Sequence, residues 1–384
     1  MTQPTVAILG GGAGGLVVSR GLRRRLGAAC RVVLVERRPL QAFAPSLLWV
    51  MTGARRPEQI TTDVRRQRQH GVEVIEADVL GFDTAARMVK TSEGAVHYDR
   101  AVVALGAEFA PDVLPGFADA AHCVYTLEGA LAARRALGSL DDGRVAVLVS
   151  RLPYKCPAAP YETAMLAEAL LRRRGVRDRV TIDVYTPEPF PMPTAGPVLG
   201  EALKELLRAR GIGFHPEHTA QEIDTDRREL VFSPSDRAGF DVLLGVPPHR
   251  PPDVIGDSGL AGNTGFIPVD PTTLRTEVED VFALGDVTAI PIAGGRFLPK
   301  AGVFAHAEAE VVAQRIAEEL SGKEPSTTFD GHGACFVEIG DGRAAYATGD
   351  FYAPDAPRIR LRRPGRTWHL GKVAFERYWL RRWA

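Results

Sequence analysis

A strand, a glycine-rich turn and a helix follow one another at the start of the chain, and this order constrains the fold strongly. The run TVAILGGGAGGLVVSR places Gly10, Gly12 and Gly15 in G-x-G-x-x-G spacing between a β-branched strand and a segment with helical periodicity. Such glycines allow a tight turn and a close approach of the backbone to a pyrophosphate. The next strand, RVVLVE, ends in Glu36, 21 positions after Gly15, where a carboxylate can bind a ribose hydroxyl. These features predict a dinucleotide-binding domain, and a glycine-rich turn in an unrelated α/β fold is the alternative.

The composition is typical of a cytoplasmic α/β protein. The 384 residues, 45% of them hydrophobic, suffice for two or three domains. Lys plus Arg (47) balance Asp plus Glu (47), so nothing in the net charge favours nucleic-acid binding. No signal-peptide pattern opens the sequence, and no apolar run reaches the roughly 20 residues that a membrane-spanning helix needs. The four cysteines are too few and too scattered for a secreted disulfide framework, and we assign no metal site.

Two later segments indicate which dinucleotide is bound. YDRAVVALGAE ends a strand near Gly106, and TEVEDVFALGDV delivers Gly285 and Asp286. Both resemble signatures of the flavoproteins with two dinucleotide-binding domains, and the resemblance implies FAD with Asp286 on its ribityl chain. It also implies a backbone contact from Val79 to the adenine. Lys300 would open a helix that faces the flavin, where a cation and the helix dipole favour the reduced ring, although a solvated lysine is the alternative.

The FAD signatures lie on both sides of a segment that has its own alternation of strands and helices. The sequence therefore predicts two Rossmann-like domains, the second inserted into the first, followed by a small C-terminal domain. The C-terminal run GACFVEIGDGRAAYATGDFYA favours a β-meander with a DG turn. The predicted boundaries are 1–108 and 246–325 for the FAD domain, 109–245 for the inserted domain, and 326–384 for the C-terminal meander and helix.

A thiol loop stands where a second glycine-rich loop would be expected. After the strand RVAVLVS the chain continues RLPYKCPAAPYE, with bulky residues, three prolines and Cys156. A nicotinamide dinucleotide needs a glycine turn at which its pyrophosphate can meet a helix N-terminus. We therefore expect no NAD(P)H site, and we expect redox chemistry at Cys156, for which a buried structural thiol is the alternative.

The chain resembles the sulfide:quinone oxidoreductase and flavocytochrome c sulfide dehydrogenase family at two cysteine motifs. KCPAAPYE is similar to the first redox-cysteine motif of that family, including Glu162 six positions after Cys156. Cys335 lies 179 positions later, in GACFVEIG, as the second redox cysteine does. The resemblance implies a Cys156/Cys335 redox pair, with Cys335 next to the flavin, and electrons that pass to a quinone.

Several residues depart from the family pattern, and these differences indicate which features of the family this chain lacks. The position that matches a third family cysteine is Tyr125 rather than Cys123, and Gly129 replaces a histidine of the motif. Pro45 stands where members with covalent flavin carry a cysteine, so we expect noncovalent FAD. The sequence contains no C-x-x-C-H haem motif, which favours a quinone over a cytochrome as acceptor.

Sulfur chemistry fits these residues. Sulfide is a nucleophile, and a disulfide converts it to a persulfide while releasing a thiolate that can reduce the flavin. Glu162 would move a proton or gate the incoming thiol, with a helix-start carboxylate as the alternative. The predicted function is FAD-dependent oxidation of sulfide, or a related sulfur donor, to sulfane sulfur or polysulfide. An NAD(P)H-dependent quinone or disulfide reductase and a flavin-binding assembly protein are the competing hypotheses.

The C-terminal segment 371–383 combines aromatic and basic residues. Phe375, Trp379 and Trp383 are spaced as one helical face, with Lys372 and Glu376 intruding on it. This pattern predicts peripheral contact with the cytoplasmic face of a membrane. Docking on the protein's own core, or on a second copy in a homo-oligomer, stays open.

Overall fold

The computed structural model describes residues 3–383, so that Met1, Thr2 and Ala384 at the ends of the predicted terminal domains lie outside the described residues. The strands are β1 Thr5–Leu9, β2 Arg31–Val35, β3 Leu40–Ala42, β4 Thr61–Asp63, β5 Glu73–Ile75, β6 Val79–Asp83, β7 Met88–Thr91, β8 Gly94–His97, β9 Arg100–Val103, β10 Glu108–Phe109, β11 Ala121–Cys123, β12 Gly143–Val149, β13 Val180–Tyr185, β14 Ile212–His215, β15 Glu222–Asp224, β16 Glu229–Ser233, β17 Asp236–Gly239, β18 Val242–Val246, β19 His249–Arg250, β20 Val281–Ala283, β21 Pro291–Ile292, β22 Arg296–Phe297, β23 His332–Gly340, β24 Arg343–Asp350 and β25 Arg358–Gly365. The helices are α1 Ala13–Leu26, α2 Leu47–Met51, α3 Pro57–Ile60, α4 Phe117–Ala120, α5 Leu127–Ser139, α6 Ala159–Arg173, α7 Pro197–Arg208, α8 Asp253–Gly256, α9 Gly302–Leu320 and α10 Arg366–Trp383.

The first parallel sheet draws its strands from two distant parts of the chain. Its order is β20-β9-β1-β2-β5, and every neighbouring pair runs parallel. The strands are short runs of Val, Ile, Leu and Ala that are buried on both faces, as expected of a parallel sheet covered by helices. Helices α1 and α9 pack on each other beside it. Strand β20 thus brings the segment around Gly285 to the edge of the sheet that holds the first glycine loop.

A second parallel sheet has the order β11-β18-β12-β13-β14. Helices α5, α6 and α7 connect or flank its strands, which gives the alternation that the sequence predicts. The short antiparallel pair β10–β19 lies where the chain passes between the two sheets in both directions. The predicted α/β class is confirmed, with two parallel sheets of five strands each.

The C-terminal part opens with the antiparallel meander β23-β24-β25. The turn between β23 and β24 contains Asp341 (φ 57°) and Gly342 (φ 64°). Two successive positive φ angles are the backbone that a two-residue hairpin of the DG type requires. This local signal correctly predicts the turn and the two strands beside it.

Helix α10 packs against the rest of the protein through four residues at i, i+4, i+7 and i+11, namely Lys372, Glu376, Trp379 and Trp383. The predicted membrane face is therefore wrong for its two tryptophans, which are only 5% and 3% exposed. Phe375 is 41% exposed, and its ring centre lies 6.0 Å from that of the buried Phe43. Lys372 and Glu376, the charged residues among these aromatic positions, lie on the inward face, because each has a buried partner, Glu162 and Ser46 respectively. In the described part of the chain, no helix is long and apolar enough to cross a membrane.

Glu376 anchors this helix to the first domain. Its carboxylate accepts hydrogen bonds from the Ser46 hydroxyl (2.6 Å) and from Arg55 Nε (2.9 Å) and Nη2 (2.7 Å). Glu376 is 3% exposed, so the pair is shielded from water. A two-pronged guanidinium–carboxylate contact of this kind fixes orientation as well as charge.

We expect Glu376→Gln to lower the free energy of unfolding by about 2 kcal/mol, because Arg55 keeps its charge and loses its buried counter-charge. Urea unfolding followed by tryptophan fluorescence would measure the change, since Trp379 lies on the same helix. The matched control is Glu58→Gln, whose carboxylate is 77% exposed, and it should change stability by less than about 0.5 kcal/mol. Equal stability of the two variants would show that Glu376 does not hold the helix.

Candidate active site

The glycine loop between β1 and α1 is closed on one side and open on the other. Gly10 has φ +100°, and a Cβ there would lie 2.4 Å from the Ala104 carbonyl oxygen. A Cβ on Gly15 would lie 1.8 Å from the Gly10 oxygen. A Cβ on Gly12 would meet no atom within 4 Å, and no side chain caps α1 at this residue. The uncapped N–H groups of α1 therefore face open space, as an anion site at a helix N-terminus requires.

Glu36 lies directly beside this loop. Its carboxylate accepts hydrogen bonds from the Gly11 N–H (2.5 Å) and the Arg38 N–H (2.8 Å). The Glu36 carbonyl in turn accepts from Ala77 N–H (3.2 Å), at the loop that leads into β6. Val79, predicted to touch the adenine, is the first residue of β6 and is half-buried. Glu36, the predicted ribose ligand, thus adjoins the glycine loop.

Lys300 lies between β20 and the start of α9 and is held by the backbone rather than solvated. Its Nζ donates to the carbonyls of Asp286 (2.7 Å) and Thr288 (2.9 Å) and lies 3.5 Å from the ring centre of Phe266. Burial lowers the pKa of Lys300 to about 8, while the carboxylates of Asp286 and Glu308 act in the opposite direction. The cation therefore lies within the structure at the point where α9 begins.

A buried carboxylate holds the turn that follows β20. Gly285 (φ +75°) donates its N–H to the Glu308 carboxylate at 2.6 Å. Burial raises the pKa of Glu308 to about 7, against the effect of this hydrogen bond. Gly106, at the end of the neighbouring strand β9, also has a positive φ of 72° and open space at its Cβ position. Both predicted glycines therefore adopt conformations that favour glycine.

Cys156 joins the second sheet to this region. It lies in the loop between β12 and α6, and its N–H donates to the Lys300 carbonyl at 2.6 Å. Its carbonyl accepts from Ala159 N–H (2.9 Å) and from the Tyr125 hydroxyl (3.2 Å). The φ of Cys156 is +53°, which costs a non-glycine residue about 1–2 kcal/mol and recurs at functional sites. The thiol loop is thus held against the first residues before α9.

Glu162 forms a buried ion pair with the C-terminal helix. Its carboxylate accepts from Lys372 Nζ (3.1 Å) and from the backbone N–H of Glu338 (2.7 Å). The Glu338 carboxylate lies 3.0 Å from His369 Nδ1. Glu162 is 4% exposed and Lys372 is 6% exposed. Glu162 does lie in the first turn of α6, as its helix-start alternative requires, but it is buried and paired there, and three further charged or polar residues join it in one cluster.

Sequence reasoning did not find Lys372, Glu338 and His369 as members of this cluster. Lys372 and Glu376 share a helical face with Trp379, and that spacing is the signal that could have placed Lys372 inward. Glu338 alternates with buried strand residues of β23 and gives no such signal.

The charges of this cluster act on both predicted redox thiols. Burial, and then the negative charge of Glu162, raise the pKa of Cys335 to about 12, while Lys372 acts in the opposite direction. Burial followed by Glu162 also raises the pKa of Cys156 far above its usual range. All four cysteines, which lie within residues 3–383, are free thiols here, and Cys30 is fully buried. Reduced Cys156 and Cys335 are therefore protonated at neutral pH, and they need help to become nucleophiles.

The predicted site residues fall into two connected groups. The open glycine loop, Glu36 and the turn at Gly285 fit an extended dinucleotide along the edge of the first sheet. The thiol loop meets that edge through Lys300. Pro45 is exposed in a 3₁₀ turn, 44–46, directly before the buried Ser46 that contacts α10.

Comparison with known proteins places the chain in a family. Residues 4–309 match the family described as pyridine nucleotide-disulphide oxidoreductase. A mitochondrial sulfide:quinone oxidoreductase of Mus musculus is 26% identical over 372 residues, which cover 91% of this chain and 78% of that protein. An alternative NAD(P)H-ubiquinone oxidoreductase C1 of Arabidopsis thaliana is 26% identical over 358 residues, covering 82% and 67%.

A solved structure agrees with these sequence matches. The sulfide:quinone oxidoreductase from Aquifex aeolicus superposes with a TM-score of 0.88 at 23% identity, covering 98% of this chain and 90% of that one. The resemblance that the cysteine motifs indicate is confirmed, and the family implies a flavin cofactor, which the open glycine loop fits. The chain belongs to the pyridine nucleotide-disulphide oxidoreductase family.

Proposed function

We propose that this protein is an FAD-dependent oxidoreductase that takes electrons from sulfide, or a related sulfur nucleophile, and passes them to a quinone. The observation that carries the proposal is the hydrogen bond from Cys156 to Lys300, which holds the thiol loop against the start of α9. The curated relatives named sulfide:quinone oxidoreductase support the same reaction class. The flavin supplies a two-electron acceptor, held noncovalently because exposed Pro45 offers no nucleophile for attachment.

The sulfur step balances with two cysteines. In the oxidised protein a Cys156–Cys335 disulfide is the electrophile. Attack of HS⁻ on the Cys156 sulfur breaks that bond, forms a persulfide on Cys156 and releases Cys335 as a thiolate. The Cys335 thiolate then joins the Cys156 persulfide, so that the added sulfur atom bridges the two cysteines and one proton and two electrons are released; a bound flavin would accept these electrons and pass them to a quinone. Repeated attack extends the sulfur chain to sulfane sulfur or polysulfide.

Glu162 and Lys372 have defined tasks in this scheme. Lys372 lowers the pKa of Cys335 and so favours the released thiolate. Glu162 has the opposite effect on the pKa of both thiols and holds the Lys372 ammonium in place. The pair therefore sets the charge balance around the leaving sulfur.

A nicotinamide-dependent reaction fits this chain less well. Helix α6 begins at Ala159 with Pro160 in its first turn, and the preceding loop contains Tyr154 and Cys156 instead of a glycine turn. A dinucleotide pyrophosphate needs open N–H groups at that helix end. The relatives that act on NAD(P)H share the fold with this chain.

We propose further that the protein binds an anionic membrane surface through the outward face of α10. Leu370 is 64% exposed and Tyr378 is 59% exposed. Arg377 and Arg381 are exposed on the same helix, and β25 adds exposed arginines at 358, 360, 362 and 363. Apolar groups among arginines suit the headgroup region, where a membrane quinone would enter.

We expect Cys156→Ser and Cys335→Ser each to abolish reduction of bound FAD by sulfide, because each removes half of the disulfide. Anaerobic stopped-flow absorbance of the flavin band measures the rate. Cys123→Ser is the matched control and should keep the wild-type rate. NADH should reduce the wild-type flavin at least about a thousandfold more slowly than sulfide. Wild-type rates in either cysteine variant, or fast reduction by NADH, would overturn the proposal.

We expect Glu162→Gln to slow flavin reduction by sulfide at least about tenfold, because Glu162 would also accept the proton that leaves the Cys156 persulfide, and positioned proton transfer typically contributes about 10²- to 10⁴-fold. The same change should speed alkylation of reduced Cys335 at pH 8, because a charge that raises the thiol pKa is gone. Lys372→Met should slow that alkylation.

Glu168→Gln is the control for these two variants, because Glu168 is also buried on α6 but pairs with Arg172 (3.0 Å). Glu168→Gln should leave the rate of flavin reduction by sulfide and the rate of Cys335 alkylation unchanged. If Glu162→Gln and Lys372→Met shift alkylation of Cys335 in the same direction, the electrostatic assignment is wrong.

The membrane proposal is best tested on the surface of α10. Deletion from Gly371 would also remove Lys372 and Glu376 from their buried partners. Arg377→Gln with Arg381→Gln should weaken binding to phosphatidylglycerol vesicles about 30-fold in a sedimentation assay, since each basic residue near an anionic surface contributes about 1 kcal/mol. Arg227→Gln with Arg228→Gln carries the same charge change on exposed residues of another loop and should bind normally. Equal binding of the two double variants would contradict the proposal.

A further inference from the structure

One buried carboxylate ties together both ends of the thiol loop. Glu188, three residues beyond β13, accepts hydrogen bonds on Oε2 from the Tyr154 hydroxyl (3.0 Å), the Tyr161 hydroxyl and the Thr186 hydroxyl (3.3 Å). Glu188 is 3% exposed, Tyr154 is 5% exposed and Tyr161 is fully buried. We refer to Glu188, Tyr154 and Tyr161 as the tyrosine clamp.

The tyrosine clamp brackets Cys156 along the chain. Tyr154 lies two residues before Cys156, and Tyr161 lies five residues after it, next to Glu162. A movement of either tyrosine therefore moves one end of the loop that carries the thiol. Other ties of this loop are the backbone bonds of Cys156 to Lys300 and Ala159 and the bond from Tyr125. The Tyr154 hydroxyl also lies 3.3 Å from the Pro157 carbonyl, and Lys155 Nζ lies 4.3 Å from the ring centre of Phe109.

The clamp contains one group that changes charge near neutral pH. Burial raises the pKa of Glu188 to about 7, against the hydrogen bonds from Tyr161, Tyr154 and Thr186. Burial also raises the pKa of Tyr154, Tyr161 and Tyr125 well above 10, so all three stay protonated donors. The titratable groups that face the carboxylate are these tyrosines, and no Lys, Arg or His among the described residues bonds to it. The carboxylate is therefore held by three hydroxyl groups and by the backbone N–H of Met192, without a cationic partner.

The charge of the Glu188 carboxylate determines the strength of the hydrogen bonds that hold the thiol loop. A hydrogen bond to a charged acceptor is roughly twice as strong as one between neutral groups. Both tyrosines donate to the same oxygen, Oε2, so protonation of Glu188 replaces their shared charged acceptor with a weaker neutral one. The loop should then gain freedom at one end, while Tyr125 and Lys300 still hold its middle.

We propose that Glu188 is a positioning residue for Cys156: the ionised carboxylate fixes both ends of the thiol loop through Tyr154 and Tyr161, and its protonation releases one end and makes Cys156 more reactive. The functional meaning rests on the proposed function, because that reaction uses Cys156. The clamp itself concerns only the reactivity of one thiol and can be measured without sulfide.

The test follows alkylation of the reduced full-length protein by iodoacetamide, with the modified fractions of Cys156 and Cys335 quantified by peptide mass spectrometry. The ratio of the two rates removes the general rise of thiolate with pH. Glu188 is protonated below about pH 7 and ionised above it, so the ratio should fall at least about fivefold between pH 6 and pH 8.5. In Glu188→Gln the ratio should stay flat at the level that the wild type shows at pH 6.

Tyr154→Phe provides a second test if Glu188→Gln does not fold. It removes one tie and keeps the ring, so the ratio at pH 8.5 should rise towards the pH 6 value. Glu205→Gln is the matched control, because its carboxylate is exposed on α7, and it should keep the wild-type slope.

A flat ratio in the wild type, or an unchanged slope in Glu188→Gln, would overturn the proposal. Its failure is distinguishable from failure of the proposed function. If sulfide does not reduce the wild-type flavin, the sulfide reaction is wrong, while the slope of the alkylation ratio still reports on the clamp.

Discussion

The buried ion pair between Glu162 and Lys372 connects the three parts of this protein that meet at the thiols. Glu162 belongs to α6 of the second sheet, Lys372 to the C-terminal helix, and the Glu338 N–H that also binds Glu162 belongs to β23 beside Cys335. Removing one partner from such a pair leaves an unpaired buried charge, which is strongly unfavourable. The position of α10 and the charge around Cys335 therefore depend on the same contact.

The two parallel sheets share the arrangement of four strands, β9-β1-β2-β5 and β18-β12-β13-β14, and differ in the loop that follows the second of these strands. In the first sheet, Gly10 and Gly15 let the chain turn closely enough to leave α1 with an open, uncapped N-terminus. In the second sheet, Tyr154 and Tyr161 fill the corresponding region and bond to Glu188. One loop thus leaves room for a phosphate group, while the other uses its space to hold a thiol.

Features that depend only on residues close together in the sequence could be predicted from the sequence. The glycine spacing, Glu36 at the end of β2 and the DG turn at Asp341 and Gly342 each follow from local backbone requirements. The inward face of α10 could not be predicted in this way. Burial of Lys372 and Glu376 is favourable only because Glu162 and Arg55, which lie far away in the sequence, supply the opposite charges. Glu188 stayed unrecognised for the same reason, since its donors come from another loop.

The raised pKa values of Cys156 and Cys335 limit the reactivity of both free thiols as nucleophiles. Burial stabilises the neutral thiol, and so a free Cys156 is a poor nucleophile at neutral pH. A disulfide carries no such penalty, because it is uncharged and its reactivity depends on attack from outside. In the proposed reaction the two half-buried sulfurs are therefore better suited to receive a sulfur nucleophile, as a disulfide, than to act as one. In that proposed reaction Lys372 acts after the disulfide has broken, when the Cys335 thiolate must be held in a site that otherwise disfavours a negative charge.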